Sequence, residues 1–363
     1  MKKIYSFILV IMAAAVAAPM FTSCSEKTEG GEQTEVNTDA LEAELQACQE
    51  LLDNATTSDY PEEAIADFEE IVNTINETLA GGGLNQTAVD NMLVQLQEAK
   101  ETFLGKGYGA IPSDAVLLSY DFETEANPQV SAGSLKYEAA LTAGPSEIFN
   151  TDTQLPTFVE GVNGGKAISF ANGSHLEIAN WSQSALLGNE ISISVWVKPT
   201  AIVPGNYIFS INYWNTLKFN IQELGKPFLT INVDGTGADC DNQRDQSVKA
   251  NEWTHLVVTV SLASDEMKFY VNGEPTMTWT AEDKPALAGN AWSVYSKTLP
   301  IMIGTTTTYE ETSSWDWEWE HSAEYWNNNV GFNGAIDNFR VYNIALTDGQ
   351  VSGLYTSEGG QQE

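Results

Sequence analysis

Basic residues are scarce in this chain of 363: 16 Lys and Arg stand against 50 Asp and Glu, a formal net charge of -34 at pH 7. Nucleic acid and anionic lipid are bound by clustered cations, so neither fits as a partner, whereas neutral sugars and bound cations remain admissible. Histidine occurs three times, too few for a histidine-built metal-hydrolase centre, and there is no His-Glu-x-x-His, no Gly-x-Ser-x-Gly and no phosphate-binding glycine loop. Cysteine is equally rare, and Cys48 and Cys240 fall in different predicted domains, which leaves no disulfide to staple the fold. The longest apolar run, residues 4–18, is too short to cross a bilayer comfortably.

What is present begins with that run. Lys2 and Lys3 precede it in the layout of a secretory signal, so residues 1–23 are expected to be absent from the mature chain. Phe21-Thr22-Ser23-Cys24 resembles the lipobox of bacterial lipoproteins, with Phe21 where leucine is usual and Ser23 where glycine or alanine is. The resemblance implies an acylated Cys24, and contact with a membrane through that lipid alone. Residues 24–37 are polar and glycine-rich and read as a flexible tether. Their acidic start resembles the signal that sends lipoproteins of Gram-negative gut anaerobes to the outside of the outer membrane, which implies exposure to the cell exterior.

Between residues 38 and 104 the apolar positions recur with helical period. Leu41, Leu45, Cys48 and Leu52 make one stripe, Ile65, Phe68, Val72, Ile75 and Leu79 a second, and Val89, Leu93, Leu96 and Phe103 a third. Pro61 with Glu62 and Glu63 marks a helix start, residues 81–83 (Gly-Gly-Gly) a stop, and Asn85 or Thr87 the next cap. The spacing predicts a three-helix bundle with no residue suited to chemistry, Cys48 included, since it lies on an apolar stripe. The bundle reads as a spacer, and the glycine-rich residues 105–113 as the hinge after it.

Beyond residue 114 the period falls to two. Thr254, Leu256, Val258, Val260 and Leu262 share one strand face, Met267, Phe269 and Val271 another, and Asn272-Gly273 is the dipeptide that most readily takes the positive φ of a tight hairpin. Trp253-Thr254-His255, an apolar strand and then residues 269–273 (Phe-Tyr-Val-Asn-Gly) resemble the central hairpin of laminin-G-like and concanavalin A-like jelly rolls. Residues 114–123, 164–170, 191–199 and 332–343 are similar to its opening, second, third and closing strands, in that order. The fold class implied is mostly β: an antiparallel two-sheet jelly-roll sandwich over residues 114–357, preceded by the three-helix bundle and followed by a disordered tail, residues 358–363. Lectins, adhesion modules and glycosidases share this sandwich, so the resemblance implies a fold and not one activity.

Candidate site residues come from two places. Asp337 alternates with Phe339 and Val341 along the closing strand, which aims a carboxylate at the core face, where a charge needs a partner. The resemblance implies Ca2+ as one such partner, with Asp121 a second ligand, and backbone amides or a basic side chain as the alternative. The other place is residues 305–331, the part that departs most from the bare fold. If Trp315, Asp316, Trp317, Glu318, Trp319 and Glu320 are extended, period two places three indoles on one side and three carboxylates on the other. With His321, Tyr325 and Trp326 the indoles form a platform for pyranose faces, an exposed apolar strip that soluble proteins seldom keep without a binding purpose. Burial of some of these rings as core is the competing outcome. The acids resemble the catalytic strand of retaining glycosidases on this fold, in a different order and with Trp flanks, which makes Asp316, Glu318 and Glu320 the residues of an alternative, hydrolytic reading.

The function expected from the sequence is therefore capture of polysaccharide by a surface lipoprotein, without a covalent step, with a structural Ca2+ and a surface glycan-uptake complex as further partners. Glycoside hydrolysis and protein-binding adhesion are the alternatives.

Overall fold

The computed structural model describes residues 36–57, 59–150, 153–315 and 321–360. The signal, Cys24 and almost all of the tether lie outside them, as do Asp316, Trp317, Glu318, Trp319 and Glu320. Among the described residues no helix is long and apolar enough to cross a membrane.

Three helices come first: α1 (Asp39–Asn54), α2 (Glu62–Gly81) and α3 (Gln86–Leu104). Each turns its predicted stripe inward. Leu41, Leu45, Cys48, Phe68, Val72, Ile75, Val89, Leu96 and Phe103 form one buried cluster, with Leu52, Ile65, Leu79 and Leu93 packed at its border. Gly82 and Gly83 after α2 have φ of 68° and 75°, which glycine adopts without strain. The Asn85 side chain accepts a hydrogen bond from the Ala88 N–H at 2.9 Å and so caps α3.

The chain then runs through β1 (Val116–Tyr120), β2 (Gln129–Val130), β3 (Glu138–Thr142), a short α4 (Ser146–Phe149), β4 (Thr157–Glu160), β5 (Lys166–Phe170) and β6 (His175–Ile178). After α5 (Gln183–Leu186) come β7 (Glu190–Pro199), β8 (Asn206–Ile211), β9 (Leu217–Gln222), β10 (Lys226–Val233) and β11 (Thr236–Asp241). The hairpin strands follow as β12 (Thr254–Ser261), β13 (Glu266–Val271) and β14 (Glu274–Thr280), then β15 (Ile301–Ile303). Helices α6 (Tyr309–Ser313) and α7 (Ala323–Asn329), strand β16 (Gly334–Tyr342) and helix α8 (Asp348–Ser357) complete the order.

The strands form two antiparallel sheets of eight. One has the order β14-β13-β12-β7-β16-β5-β4, with β1 also on β16, and the other the order β11-β10-β9-β8-β15-β6-β3-β2. Alternate residues of both sheets meet in one core. Leu256, Val258, Val260, Met267 and Phe269 enter it from the first sheet, and Leu217, Phe219, Ile221, Leu229 and Ile231 from the second. Asn272 and Gly273, at φ 52° and 82°, form the predicted turn, with Val271 and Glu274 paired across it.

Three sequence expectations need correction. The pairing register of β16 shifts between Asp337 and Arg340, and Asn338 sits at φ 47°, so one extra residue separates Asp337 from Phe339. Ile336, Phe339 and Val341 enter the core, while Asp337 does not. Glu358, expected in a disordered tail, accepts a hydrogen bond from the Trp196 indole N–H at 2.7 Å and pairs with Arg340. Residues 105–113 are braced on both sides and do not form a free hinge. The Tyr108 N–H donates to the Asp59 carbonyl at 2.9 Å, Gln350 of α8 donates to the Ala110 carbonyl at 3.0 Å, and Tyr108 is buried.

Candidate functional site

On β9, Leu217, Phe219 and Ile221 point into the core, so Lys218, Asn220 and Gln222 face outward. Register carries this face across the sheet. Lys218 lies opposite Ser210 of β8 and Thr230 of β10, and Thr230 lies opposite Asp239 of β11. The outward residues of these strands floor a cleft of about 530 Å³ lined by Trp214, Lys218, Gln222, Phe228, Thr230 and Asp239. Thr230 donates its hydroxyl to Asp239 at 2.5 Å.

Trp214 stands at the edge of this cleft because of the turn between β8 and β9. Asn212 and Tyr213 both have positive φ, 51° and 44°, a conformation that two consecutive non-glycine residues keep only when their surroundings hold them. The surroundings here are polar bonds. Tyr213 N–H donates to Ser210 Oγ at 3.2 Å, and its hydroxyl donates to Glu311 of α6 at 2.7 Å. Tyr295 and Lys297 also donate to Glu311, at 2.9 and 2.6 Å. Buried at 5% exposure, Glu311 ties α6 to the turn that carries Trp214.

Of the residues proposed from the sequence, Trp315 belongs to this site. Its ring lies 4.9 Å from Trp214 and 5.4 Å from Tyr213, so the indole pair is Trp214 with Trp315. The segment that holds it is closed at its base by a bridge between Thr305 and Gly331. His321 is exposed, with its ring 6.0 Å from that of Tyr309, and Tyr325 is half-buried. Trp326 differs from expectation: at 2% exposure it packs with Ile148 and Val330 and meets Phe149 edge-on, so it is core and not platform. Apolar surface on α4 and α7 explains this, since each short helix needs a partner to bury it.

Lys218 is the residue that sequence reading missed. It is buried, with Nζ 4.9 Å from the Phe228 ring centre and 5.5 Å from that of Tyr207. Burial pushes its pKa down to about 8, against the pull of the Asp239 carboxylate. Burial also pushes Tyr207 up to about 12. The alternation of Lys218, Asn220 and Gln222 with the apolar Leu217, Phe219 and Ile221 was the signal available; that Phe228, Thr230 and Asp239 share their face depends on register across three strands.

Asp337 and Asp121 sit elsewhere. Asp337 Oδ2 accepts from the Val162 N–H at 2.9 Å and Oδ1 from the Asn338 N–H at 2.7 Å, while exposed Asp121 accepts from the Glu123 N–H at 3.2 Å. Both carboxylates are thus engaged by backbone, the alternative weighed against Ca2+, and among the described residues no group of three or more His, Cys, Asp or Glu is placed to hold a metal.

Residues 170–298 match a laminin-G family model described as the concanavalin A-like lectin/glucanases superfamily. No curated protein matches the chain. Among solved structures, it is similar to domain 4 of AbnA, a GH43 extracellular arabinanase from Geobacillus stearothermophilus solved with arabinotriose, at TM-score 0.46 and 17% identity over 66% of this chain and 98% of that one. It is also similar to the binding domain of Paraclostridial Mosquitocidal Protein 1, at TM-score 0.48 and 15% identity over 68% of this chain and 52% of that one. A structure of botulinum neurotoxin type C, whose cell entry depends on two ganglioside molecules, gives TM-score 0.45 and 16% identity over the same shares. The chain thus spans about half of each toxin structure. With its two antiparallel sheets and the three packed helices before them, the chain carries a concanavalin A-like/laminin-G jelly-roll domain preceded by an N-terminal helical region.

Proposed function

We propose that this protein captures polysaccharide at the outward cleft of β9, β10 and β11. A sugar ring stacks on the Trp214 and Trp315 indoles while Gln222, Thr230 and Asp239 hydrogen-bond its hydroxyls, and no covalent bond is made or broken. The observation that carries this reading is the placing of Trp214. A strained turn, held by the buried Glu311, sets an indole beside a second one at the edge of a polar-floored cleft. A core indole needs no such turn, whereas a stacking surface needs a fixed ring. The matched superfamily is one of lectins and glucanases by its description, and both handle carbohydrate.

The same proposal includes a lipid on Cys24 and a place on the outside of the outer membrane, supported by Lys2, Lys3, the apolar run and the acidic tether. Affinity electrophoresis against plant and host polysaccharides tests the binding. Retardation by at least one glycan that is lost in Trp214→Ala and Trp315→Ala, with both variants folded, is the expected result. No retardation by any glycan overturns it, and release of reducing ends identifies a hydrolase in its place.

A further inference from the structure

Stacking and hydroxyl contacts leave one feature of the cleft without a purpose. Lys218 carries a charge at 9% exposure, and among the described residues no carboxylate lies within ion-pair distance of it, although six other lysines have such a partner. Asp239, two strands away in the same row, accepts the Thr230 hydroxyl at Oδ1 and lies beyond ion-pair distance of Lys218, and its backbone carbonyl receives Lys284 at 2.5 Å. The rings of Phe228 and Tyr207 replace only part of the hydration an ammonium loses on burial. Its lowered pKa reports the same deficit.

A ligand carboxylate would supply the missing counter-ion to a buried ammonium, to which a charge-assisted bond is stronger than at the surface. The net charge of -34 sets a limit in the other direction, because a densely charged polymer is repelled by the protein as a whole. We infer that the cleft selects glycans carrying isolated acidic sugars on an otherwise neutral chain, the sugar carboxylate pairing with Lys218 while its neighbour stacks on the indoles. This rests on the cleft being a glycan site.

The test is an array in which each glycan bearing single uronic or sialic acid residues is paired with its carboxyl-reduced counterpart, with neutral arabinan and xylan and densely charged polygalacturonate beside them. It is probed with the full chain and with Lys218→Met and Lys218→Gln. The acidic member of at least one pair binds about 10-fold or more tighter than its reduced partner, the ratio expected of one charge-assisted hydrogen bond, and both variants lose that ratio. Methionine fills the lysine stem's space without a charge, so an undiminished melting temperature shows that the fold is intact. Equal binding of reduced and acidic members overturns the inference and leaves the glycan site standing, as does an unchanged ratio in both folded variants. Tighter binding of polygalacturonate overturns the preference for isolated charges. Silence across the array overturns the glycan site itself, and this inference with it.

Discussion

The Tyr213 hydroxyl donates a 2.7 Å hydrogen bond to Glu311, joining the turn after β8 to α6 some hundred residues later in the chain. Burial acts to raise the Glu311 carboxyl, but hydrogen bonds from Lys297, Tyr213 and Tyr295 outweigh it and hold the group below the usual glutamate range. A carboxyl lowered by folding stabilises the protein above its unfolded pKa, and that contribution is lost as pH falls through the folded value. Glu311→Gln keeps the shape and removes the charge, so it lowers unfolding stability at pH 7 by about 2 kcal/mol. It also weakens glycan binding, because Trp214 loses its brace. Urea unfolding at pH 7 and pH 4 checks this: the gap between wild type and variant narrows at the lower pH, and an equal gap at both would refute the charge argument.

Trp326 and Trp214 separate stability from binding. Trp326→Ala empties a packed site between α4 and α7 and lowers stability by about 3 to 5 kcal/mol. Trp214→Ala and Trp315→Ala each remove the ring contacts to Tyr213 and to the other indole and cost about 1 to 2 kcal/mol, while abolishing glycan retardation. Thermal melting beside affinity electrophoresis distinguishes the two classes. The reverse pattern, a stable Trp326→Ala that no longer binds, would move the site to α7.

Much of this architecture was legible in period alone. The three stripes of the helical region, the Asn272-Gly273 turn and the alternating strands use local rules, which a single sequence obeys residue by residue. Asp337 was misplaced because one residue at φ 47° reverses every later side chain, and a β-bulge leaves no mark on the alternation that Asn338 interrupts. The site was half legible: Trp315 stood out in a Trp-rich segment, whereas Trp214 and Lys218 are single residues whose meaning comes from strand register and from a turn held by a distant acid.

Asp337 gives a pH dependence of opposite sign. Burial pushes its carboxyl up to about 6 against the amides of Val162 and Asn338, so the folded state favours the protonated form. Its cost is absent below the unfolded carboxylate range and grows as pH rises toward 6, reaching about 3 kcal/mol above it. Asp337→Asn therefore flattens the stability profile between pH 4 and pH 7, as measured by urea unfolding with chelator present. A calcium ion at this carboxylate would reverse the sign, lowering the pKa and raising wild-type stability at pH 7 when Ca2+ is added. The backbone-held arrangement predicts no such rise.

Gly353 tests whether the two domains are fixed to each other. Inside α8, alanine in place of glycine ordinarily stabilises by about 1 kcal/mol through helix propensity. Here a Cβ would stand 2.9 Å from the Cβ of Tyr108, the buried residue of the linker, and at Gly349 it would stand 2.8 Å from the Tyr108 carbonyl oxygen. Ile111 packs with Val351 and Leu354 beside them, so the linker cannot retreat without unpacking α8. Gly353→Ala consequently destabilises by about 1 to 3 kcal/mol, as overpacking does, and opens residues 105–113 to protease. Tyr108→Ala relieves the crowding but removes the wedge, so small-angle scattering detects a broader distribution of domain separations in it than in wild type. Stabilisation by Gly353→Ala with unchanged proteolysis would show instead that the linker moves freely and that the bundle and the sandwich turn independently.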